Sequence, residues 1–412
     1  MRNLLYIDSS YTLSQIRERD LVHVLKVRHL DGYWDRVWSV HPVDTQPGTV
    51  GDGDAFGKPV MERITEDHFF VRGRYGLSRH LARLAPFNVA LALISVVIEM
   101  LELVRSEKIA VVRAGDPLLC GLLGLIVARI TGAKLMVRIN GNNDMIRKDT
   151  GQPVMPRLFR KVLVEEFVER LVLSRADSFL APSQNYMNFA VSKGADPKRC
   201  HLVRYGNLID PRHLAPVAGR PLIDEPELQR AISQRQYFLY IGRLLSLKHV
   251  EDCIEVLGIL VRAGHDVGLC LVGDGSMRGA LEVRAAELGV LDRVLFLGNR
   301  NQGFLSRLIP LCVGVLSPLT GRALTEAAFG EAAIVAYDLD WQGDLVIDGV
   351  SGLLVPAHDI EAMARGAARL LQDPNLARAL GVGARNRAFE LLEPQRQTEL
   401  EIAAYEAMGV RG

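Results

Sequence analysis

The sequence has no excess of charge of either sign. Its 412 residues include 49 Lys and Arg against 48 Asp and Glu, which leaves a formal net charge of +1. Proteins that bind nucleic acids through phosphates carry a clear positive excess. We therefore expect no nucleic-acid partner. Hydrophobic residues make up 49% of the chain, which excludes a disordered protein as well.

Cysteine is scarce, and no two cysteines have the spacing of a metal site. An odd number of scattered cysteines argues against a disulfide framework and against structural zinc. The N-terminus reaches Asp8 after only four apolar residues, too few for the core of a signal peptide. We therefore expect a cytoplasmic protein without a metal. The five cysteines are Cys120, Cys200, Cys253, Cys270 and Cys312.

Long apolar runs are also missing. The charge-free stretches Leu84–Ile98 and Pro117–Ala128 are both shorter than the roughly 18–20 residues that a membrane span requires. Four arginines precede the first stretch, between Arg72 and Arg83. Such a basic segment either forms a solvated helix face, which we favour, or docks on anionic lipid. The second alternative would place residues 72–98 against the inner membrane surface.

The second half of the chain alternates short β-branched runs with amphipathic stretches, a pattern typical of βαβ units in a parallel sheet. It predicts a doubly wound α/β domain. The predicted strands are Tyr237–Ile241, Val267–Val272, Val294–Leu297, Val313–Leu316, Ala333–Tyr337 and Gly352–Val355.

The first half repeats the theme less regularly and predicts a second α/β domain. A Gly- and Asp-rich segment, Thr45–Gly57, is predicted to be a loop. Four prolines within Asp210–Gln234 favour a break between the domains there. The predicted strands of this half are Leu4–Ile7, Ile109–Val112, Lys134–Ile139 and Ser178–Ala181.

Two cations follow the strand that ends at Ile241. Gly242 and Arg243 come directly after this strand, and Lys248 precedes a predicted helix near Val250. A glycine at a strand end lets the backbone approach a ligand, and a helix N-terminus favours an anion. The pattern fits a diphosphate, although an Arg and a Lys on a loop are more often solvated surface charges.

A carboxylate follows a later strand. Glu326 lies in the helix after Ser317–Gly321, where it either interacts with the helix dipole or accepts the two hydroxyls of a ribose. Asp274, in the turn Val272–Gly275, is better explained as a helix cap.

The order of these features resembles the retaining glycosyltransferases of family four, which have the GT-B fold. The resemblance rests on Gly-Arg-Leu with its following lysine, Val-Gly-Asp-Gly, DRVLFLG at 292–298, the Glu-Ala helix at 326, AIVAYD at 333–338 and LVIDGVSGLLVPAHD at 345–359. It extends over 237–390, and more weakly over SRADSFLAPSQ at 174–184 and GADPKRCHLVRYGN at 194–207.

The resemblance implies two Rossmann-like domains that face a cleft. The first, acceptor-side domain would span 1–212 and a linker 213–235. The nucleotide-sugar-binding domain would span 236–393, and a last helix at 394–412 would return to the first domain.

The resemblance also implies roles for individual residues. Arg243 and Lys248 would hold the diphosphate of the donor and assist its departure, beside the backbone of Gly242. Glu326 would bind the ribose, and the backbone of Gly321 would approach the donor. The base would lie near Gly298, Asn299 and Arg300.

Two positions depart from the family pattern. The first glutamate of the paired-glutamate motif, which holds the transferred sugar, is replaced by Pro318, so the sugar would need neutral partners such as Thr320. A His-Gly pair of the first domain is replaced by Asn140-Gly141, and Asn140 is either a catalytic-site residue or a turn residue. Asp116 is a weaker acceptor-side candidate whose alternative role is a helix cap.

The sequence thus predicts a metal-independent, retaining glycosyltransferase without a cofactor. Its donor would be a UDP- or GDP-linked sugar, and its acceptor a carbohydrate or a lipid-linked sugar. Pro318 and Asn140 keep open the alternative of a non-catalytic homologue that binds a nucleotide-sugar or a partner subunit. A further alternative is a GT-B isomerase that acts on the nucleotide-sugar itself.

Overall fold

In a computed structural model of the chain, the structure describes residues 1–18, 20–45 and 55–410. The chain forms two compact units. The first consists of Met1–Arg204 together with the chain from Gln395 onward, and the second of Tyr205–Pro394. Most of the predicted loop Thr45–Gly57, residues 46–54, lies outside the described residues.

Helices alternate with strands in both units. In chain order they are α1 (Leu13–Glu18), α2 (Val22–Lys26), α3 (Ala85–Ser106), α4 (Leu119–Thr131), α5 (Asn143–Thr150), α6 (Val162–Arg175), α7 (Gln184–Ser192), α8 (Pro211–Leu214), α9 (Pro226–Gln234), α10 (Val250–Arg262), α11 (Arg278–Glu287), α12 (Gln302–Leu308), α13 (Ala323–Phe329), α14 (Gln342–Leu345), α15 (Ile360–Gln372), α16 (Pro374–Leu392) and α17 (Pro394–Glu406).

The first unit is built on a mixed sheet with the strand order β3-β4-β2-β1-β5-β6-β7-β8. Its strands are parallel except for β3, which runs antiparallel to β4. Leu5 at the centre of the sheet pairs with Trp38 on one side and Val112 on the other. The strands are β1 (Asn3–Ile7), β2 (Arg36–Thr45), β3 (Val60–Arg63), β4 (His68–Arg74), β5 (Val111–Ala114), β6 (Lys134–Arg138), β7 (Ser178–Ala181) and β8 (Cys200–Leu202).

The ten-residue strand β2 has no counterpart among the predicted strands. Its inward positions include polar residues, which conceal the apolar pattern of a buried strand. Ser39 is fully buried and accepts a hydrogen bond from Arg28 (2.7 Å) while contacting His68 (2.8 Å). Asp44 is fully buried and accepts one from the backbone N–H of Leu13 (2.8 Å). These hydrogen bonds offset the free-energy cost of removing the polar side chains from water, which would otherwise exclude them from the buried sheet.

The apolar helix α3 covers one face of this sheet with α4 and α6. The continuous helical stretch Arg79–Ser106 has 28 residues and a mean hydropathy of 2.1 in its most apolar window. By its length and composition this helical stretch could span a membrane, although the charge-free part of the stretch is too short to do so alone. One side of α3, with Ala92, Val96 and Met100, is buried against the unit.

The second unit has a parallel sheet with the strand order β11-β10-β9-β12-β13-β14. All six predicted strands are present, with boundaries shifted by one residue at most. Leu239 pairs with Cys270 on one side and Val315 on the other, in a core of aliphatic side chains. The strands are β9 (Gln236–Ile241), β10 (Val267–Val272), β11 (Val294–Gly298), β12 (Gly314–Ser317), β13 (Ile334–Asp338) and β14 (Leu353–Pro356).

Residues 213–235 differ from the predicted linker, because the structure places them inside the second unit. The boundary lies at Arg204/Tyr205 instead of residue 212. The prolines do keep the helices of this segment short. Arginine side chains, however, hold the segment against the rest of the second unit by hydrogen bonds to backbone carbonyls. The guanidinium of Arg220 donates to the carbonyls of His213 (2.9 Å) and Ser306 (2.8 Å). Arg385 donates to the carbonyl of Leu214 (2.6 Å).

The last helix, α17, belongs to the first unit. Its Glu401 is 1% exposed and forms ion pairs with two buried arginines, Arg113 of β5 and Arg138 of β6. Tyr405 packs in the same core and accepts a hydrogen bond from Arg113 (3.2 Å). Burial alone would lower the pKa of Arg113, but Glu401 holds this pKa above its usual value. Glu401 therefore supplies the carboxylate that two strands of the first unit require.

We expect Glu401→Gln to destabilise the protein strongly, since it removes the carboxylate charge that pairs with two buried guanidiniums. Removing one partner of a buried ion pair costs about 3–5 kcal/mol. Urea denaturation measures the loss. The control is Glu399→Gln on the exposed side of the same helix, which should change the free energy of unfolding by less than about 0.5 kcal/mol. Equal effects of the two substitutions would contradict this role of Glu401.

Candidate active site

The carboxyl ends of β9 and β12 form the centre of the candidate site in the second unit. The two strands are neighbours and parallel, but their chains leave in opposite directions. Helix α10, after β9, packs with α11 and α15, whereas α13, after β12, packs with α8 and α16. A strand-order reversal of this kind leaves a crevice where ligands bind in open α/β sheets.

Two glycines allow the loop after β10 to lie directly on the loop after β9. A Cβ atom on Gly273 would stand 1.8 Å from the carbonyl oxygen of Gly242, and one on Gly275 would stand 2.3 Å from that of Leu244. The backbone N–H of Leu244 donates to the carbonyl of Asp274 (3.0 Å). The Asp274 carboxylate accepts from Gly275 (2.8 Å) and shapes the turn instead of capping α11. The loop that carries Arg243 is thus held by backbone contacts.

Arg243 and Lys248 are two neighbouring cations of this loop. Among the described residues neither side chain forms a salt bridge, although the Asp340 carboxylate acts on Lys248 from a longer distance. Burial, and secondly the charge of Arg243, lower the pKa of Lys248 to about 8, with Asp340 opposing the shift. The Lys248 Nζ lies 3.8 Å from the position of a Cβ on Gly321, whose φ is +68°. The loops after β9 and β12 therefore meet at a positively charged point beside the N-terminus of α10, a suitable place for an anion.

Glu326 lies near the first turn of α13 and is 6% exposed. Its Oε1 accepts a hydrogen bond from Gln302 Nε2 (3.3 Å) and is 3.8 Å from the Arg322 guanidinium. Within the described part of the chain its Oε2 has no hydrogen-bond donor. One oxygen of a buried carboxylate is thus available to a ligand. Neither Gln302 nor its role was predicted, since no motif surrounds it.

The loop that contains Pro318 is fastened by Gln342, another residue that the sequence analysis missed. Gln342 is fully buried, and its Nε2 donates to the carbonyls of Ser317 (3.1 Å) and Pro318 (3.1 Å). Its Oε1 accepts from the Ser317 hydroxyl (2.5 Å), which also contacts the Thr320 hydroxyl (2.6 Å). Thr320, predicted to contact the sugar, therefore already has a partner within its own loop.

The predicted base-binding residues Gly298, Asn299 and Arg300 follow β11. Gly298 has a positive φ of +64°, and its carbonyl accepts from the backbone N–H of Gly273 (2.9 Å). Asn299 is exposed. Arg300 forms a two-pronged ion pair with Glu225 and donates to the carbonyl of Leu297 (2.8 Å). This pairing commits the Arg300 guanidinium to the protein and leaves the backbone and Asn299 for a base.

In the first unit, the candidates lie where β1 and β5 end side by side. The exposed Asn140 donates from Nδ2 to the carbonyl of Gly115 (2.5 Å). Asp116 accepts from the backbone N–H groups of Leu118 (2.8 Å) and Cys120 (3.2 Å) at the start of α4. Burial, and to a lesser degree the charge of Asp8, raise the pKa of Asp116. Asp116 therefore acts as a helix cap, and Asn140 bridges two strand ends.

Asp8, at the end of β1, is a site residue that the sequence analysis did not single out. Its Oδ2 accepts from Arg28 (2.6 Å), and its Oδ1 is 3.2 Å from the position of a Cβ on Gly115. Burial alone would raise the pKa of Asp8, but the charge of Arg28, the hydrogen bonds from Ser10 and the charge of His41 together outweigh burial and hold this pKa below its usual value. Asp8 thus stays ionised beside Asp116. A strand-end aspartate was the only signal in the sequence.

Comparison with known proteins assigns both halves of the chain. Residues 225–387 match the family described as "Glycosyl transferases group 1", and residues 45–206 match "Glycosyl transferase 4-like domain". An alpha-D-kanosaminyltransferase from Streptomyces kanamyceticus is 28% identical over 258 residues, which are 61% of this chain and 64% of that protein. The chain thus spans less than two thirds of that relative's length.

Two further similarities extend over more of the chain. A GDP-mannose-dependent alpha-(1-6)-phosphatidylinositol monomannoside mannosyltransferase from Mycolicibacterium smegmatis is 24% identical over 346 residues, 79% of this chain and 82% of that protein. The crystal structure of Anabaena HepE in complex with UDP superposes with a TM-score of 0.72 at 16% identity, covering 99% of this chain and 100% of that one. The fold is therefore GT-B, as the sequence predicted.

The lowered pKa of Lys248 leads to a pH dependence. The ammonium attracts an anion and the neutral amine does not, so affinity for a ligand with a diphosphate group should fall as pH rises through about 8. Between pH 7 and 9 we expect a loss of about tenfold by proton linkage. Isothermal titration calorimetry measures it and should show proton uptake on binding near pH 8. Lys248→Arg, which stays charged, should abolish the dependence; an unchanged pH profile in Lys248→Arg would contradict the assignment.

Proposed function

Because the chain belongs to the glycosyltransferases that combine a 4-like domain with a group 1 domain, we propose that it transfers a sugar from a nucleoside diphosphate donor to an acceptor. The observation that supports this most is the pair of neighbouring cations at the end of β9, Arg243 and Lys248, which form no salt bridge with any described residue. A diphosphate would supply the missing negative charge. The donor would be UDP- or GDP-linked, since HepE binds UDP and the mannosyltransferase is named for GDP-mannose.

The proposed chemistry places the leaving group on these two cations. Negative charge develops on the diphosphate oxygen as the bond to the sugar breaks. Fixed charges in a partly buried site stabilise this oxygen more than water does, because they need no reorganisation. Arg243 and Lys248 would thereby take the part that a metal ion takes elsewhere. Transfer with retention of the anomeric configuration, without metal or cofactor, is part of this proposal.

Glu326 would recognise the ribose of the donor. Its Oε1 is occupied by Gln302, while Oε2 is available to a sugar hydroxyl. Hydrogen bonds to a charged group contribute about 1.5–3 kcal/mol. The base would contact the backbone around Gly298 together with Asn299, since Arg300 is paired with Glu225.

The transferred sugar would meet a neutral loop. Pro318 is buried and carries no carboxylate, and Thr320 is bonded to Ser317. The sugar hydroxyls would therefore contact backbone groups of residues 318–321. The absence of a charge at position 318 means that the donor sugar need not be the one that family members with a glutamate select.

The acceptor would bind in the first unit, at the ends of β1 and β5. Asp8, Asp116 and Asn140 offer two carboxylates and an amide within a short distance of Gly115. Such groups hydrogen-bond the hydroxyls of a carbohydrate. Asn140 cannot carry a proton, so its role would be to orient the acceptor.

One face of the first unit also fits a peripheral membrane contact on the cytoplasmic side. Helix α3 exposes Phe87 (56%) and Ile94 (54%), and α6 exposes Leu163 (76%) and Phe167 (65%). Both helices pack against α4 on the same face. An apolar face with basic neighbours binds anionic lipid. The exposed basic neighbours are Arg83, Arg157, Arg160 and Lys161.

Not all of the basic stretch at 72–83 supports this contact. Arg72 is paired with Asp44 (2.5 Å) and Glu62 (2.8 Å) and so fastens β4 to its neighbours. The membrane proposal therefore depends on α3 and α6 more than on the arginines of β4. If α3 and α6 bind the membrane, a lipid-linked acceptor in that membrane would lie next to the unit that binds the acceptor.

The test of the membrane contact is sedimentation with lipid vesicles. Phe87→Ser and Phe167→Ser together should reduce binding to phosphatidylcholine–phosphatidylglycerol vesicles by about a hundredfold, given about 1.5 kcal/mol for each phenylalanine that enters the membrane. Val283→Ser, an equally exposed apolar position of the second unit, should have no effect. Equal binding of the wild type to pure phosphatidylcholine, or no loss in the double variant, would exclude the proposed surface.

The test of the transfer reaction is substitution of the two cations. Arg243→Ala and Lys248→Ala should each lower donor turnover by about two to three orders of magnitude, by analogy with removal of an oxyanion donor. Release of UDP or GDP from the sugar conjugates, with sugar and lipid-linked acceptors, is the measurement. Arg262→Ala, at the exposed far end of α10, is the matched control. Wild-type turnover in both single variants would exclude this diphosphate site.

A further inference from the structure

Behind Glu326 lies a buried chain of two hydrogen bonds. Gln302 of α12 donates from Nε2 to Glu326 Oε1 (3.3 Å), and its Oε1 is 2.7 Å from Nε2 of His213 in α8. His213 is fully buried and Gln302 is 8% exposed. Hydrogen bonds thus connect α8, α12 and α13, and the connection ends at the Glu326 carboxylate.

The carboxylate determines the direction of both hydrogen bonds. An ionised Glu326 only accepts, so Gln302 must present its NH₂ group to it and its carbonyl to His213. The His213 Nε2 must then carry a proton and donate. A neutral ring with this tautomer leaves Nδ1 without hydrogen, and Nδ1 is indeed buried without a hydrogen-bond partner. A protonated ring would bury an unpaired N–H instead, which is costly. Burial accordingly lowers the pKa of His213.

We propose that Gln302 and His213 are positioning residues that hold the Glu326 carboxylate so that Oε2 faces the ribose of the donor. The inference rests on the proposed function, which assigns Glu326 to the ribose. His213 prevents the Gln302 amide from turning its carbonyl toward Glu326. Gln302 in turn keeps Oε1 in place.

Arg322 competes with Gln302 for the Glu326 carboxylate. Its guanidinium lies 3.8 Å from Glu326 Oε1, and Arg322 is the N-cap residue of α13, four residues before Glu326. Without the Gln302 donor, the carboxylate would turn toward this cation, since an i,i+4 pair of opposite charges is attractive on a helix. Oε2 would then leave the direction in which a ribose hydroxyl can donate to it. The effect of losing Gln302 should therefore be confined to ligands that carry the ribose hydroxyls.

The experiment compares two ligands. Calorimetry gives the dissociation constants of UDP or GDP, whichever the wild type binds more tightly, and of its 2′,3′-dideoxy analogue. Gln302→Met and His213→Leu should weaken the ribonucleotide by about tenfold, the net contribution of about one hydrogen bond. With both variants, the dissociation constant of the dideoxy analogue should stay within about twofold of its value with the wild type. His213→Gln retains a donor and should preserve both affinities.

Glu326→Gln in the same series separates the two proposals. If this variant weakens both ligands equally, the ribose assignment is wrong and the proposed function loses its support there. If Glu326→Gln discriminates between the ligands but Gln302→Met does not, the positioning role is overturned while the ribose assignment stands. Thermal unfolding checks that each variant folds. Should His213→Leu fail to fold, Gln302→Met and His213→Gln still decide the outcome.

Discussion

The arrangement of the second unit depends on two parallel strands that lie side by side and send their chains to opposite faces of the sheet. At the ends of β9 and β12 no helix crosses from one strand to the other, so the loops approach each other directly. The backbone contacts at Gly273 and Gly275 hold the first loop, and Gln342 holds the second. The cations after β9, the turn at Gly321 and the carboxylate of Glu326 then have their places from one of these loops or from α13, while Gly298 and Asn299 lie at the end of β11. The chemistry is thus a consequence of strand order before it is one of particular side chains.

The charge at this site is better explained by ligand binding than by stability. Two neighbouring cations repel each other, and in the described residues neither has a carboxylate partner, whereas Arg300 nearby is paired with Glu225. A protein selected for stability alone would neutralise such a pair. Sites kept at the expense of stability are usually functional. Arg300 pairs with Glu225, whereas Arg243 forms no salt bridge with a described residue, and this contrast supports the proposal that Arg243 binds a ligand.

Much of this architecture could be predicted from the sequence, for physical reasons that differ by element. The strands of the second unit are short β-branched runs, and Arg243, Lys248 and Glu326 follow strand ends in a recognisable order. Strand β2 escaped prediction because polar side chains, among them Ser39 and Asp44, are buried between its apolar ones. Gln302 and Gln342 escaped because their partners are distant in sequence and no spacing rule connects them. Similarly, the prolines of the 213–235 segment suggested a linker. The hydrogen bonds from Arg220 and Arg385 that attach this segment to the second unit cannot be recognised from composition.

The ion pairs of Glu401 have a consequence for the order in which the protein is made. Arg113 and Arg138 belong to strands in the middle of the first unit's sheet, but their carboxylate partner lies near the end of the chain. During synthesis these strands leave the ribosome long before Glu401 exists. Domains usually fold as they emerge, but the sheet of the first unit can bury these two guanidiniums together with the Glu401 carboxylate only after the whole second unit has been translated. The second unit, continuous in sequence from Tyr205 to Pro394, can finish folding first, which reverses the order expected from position in the chain.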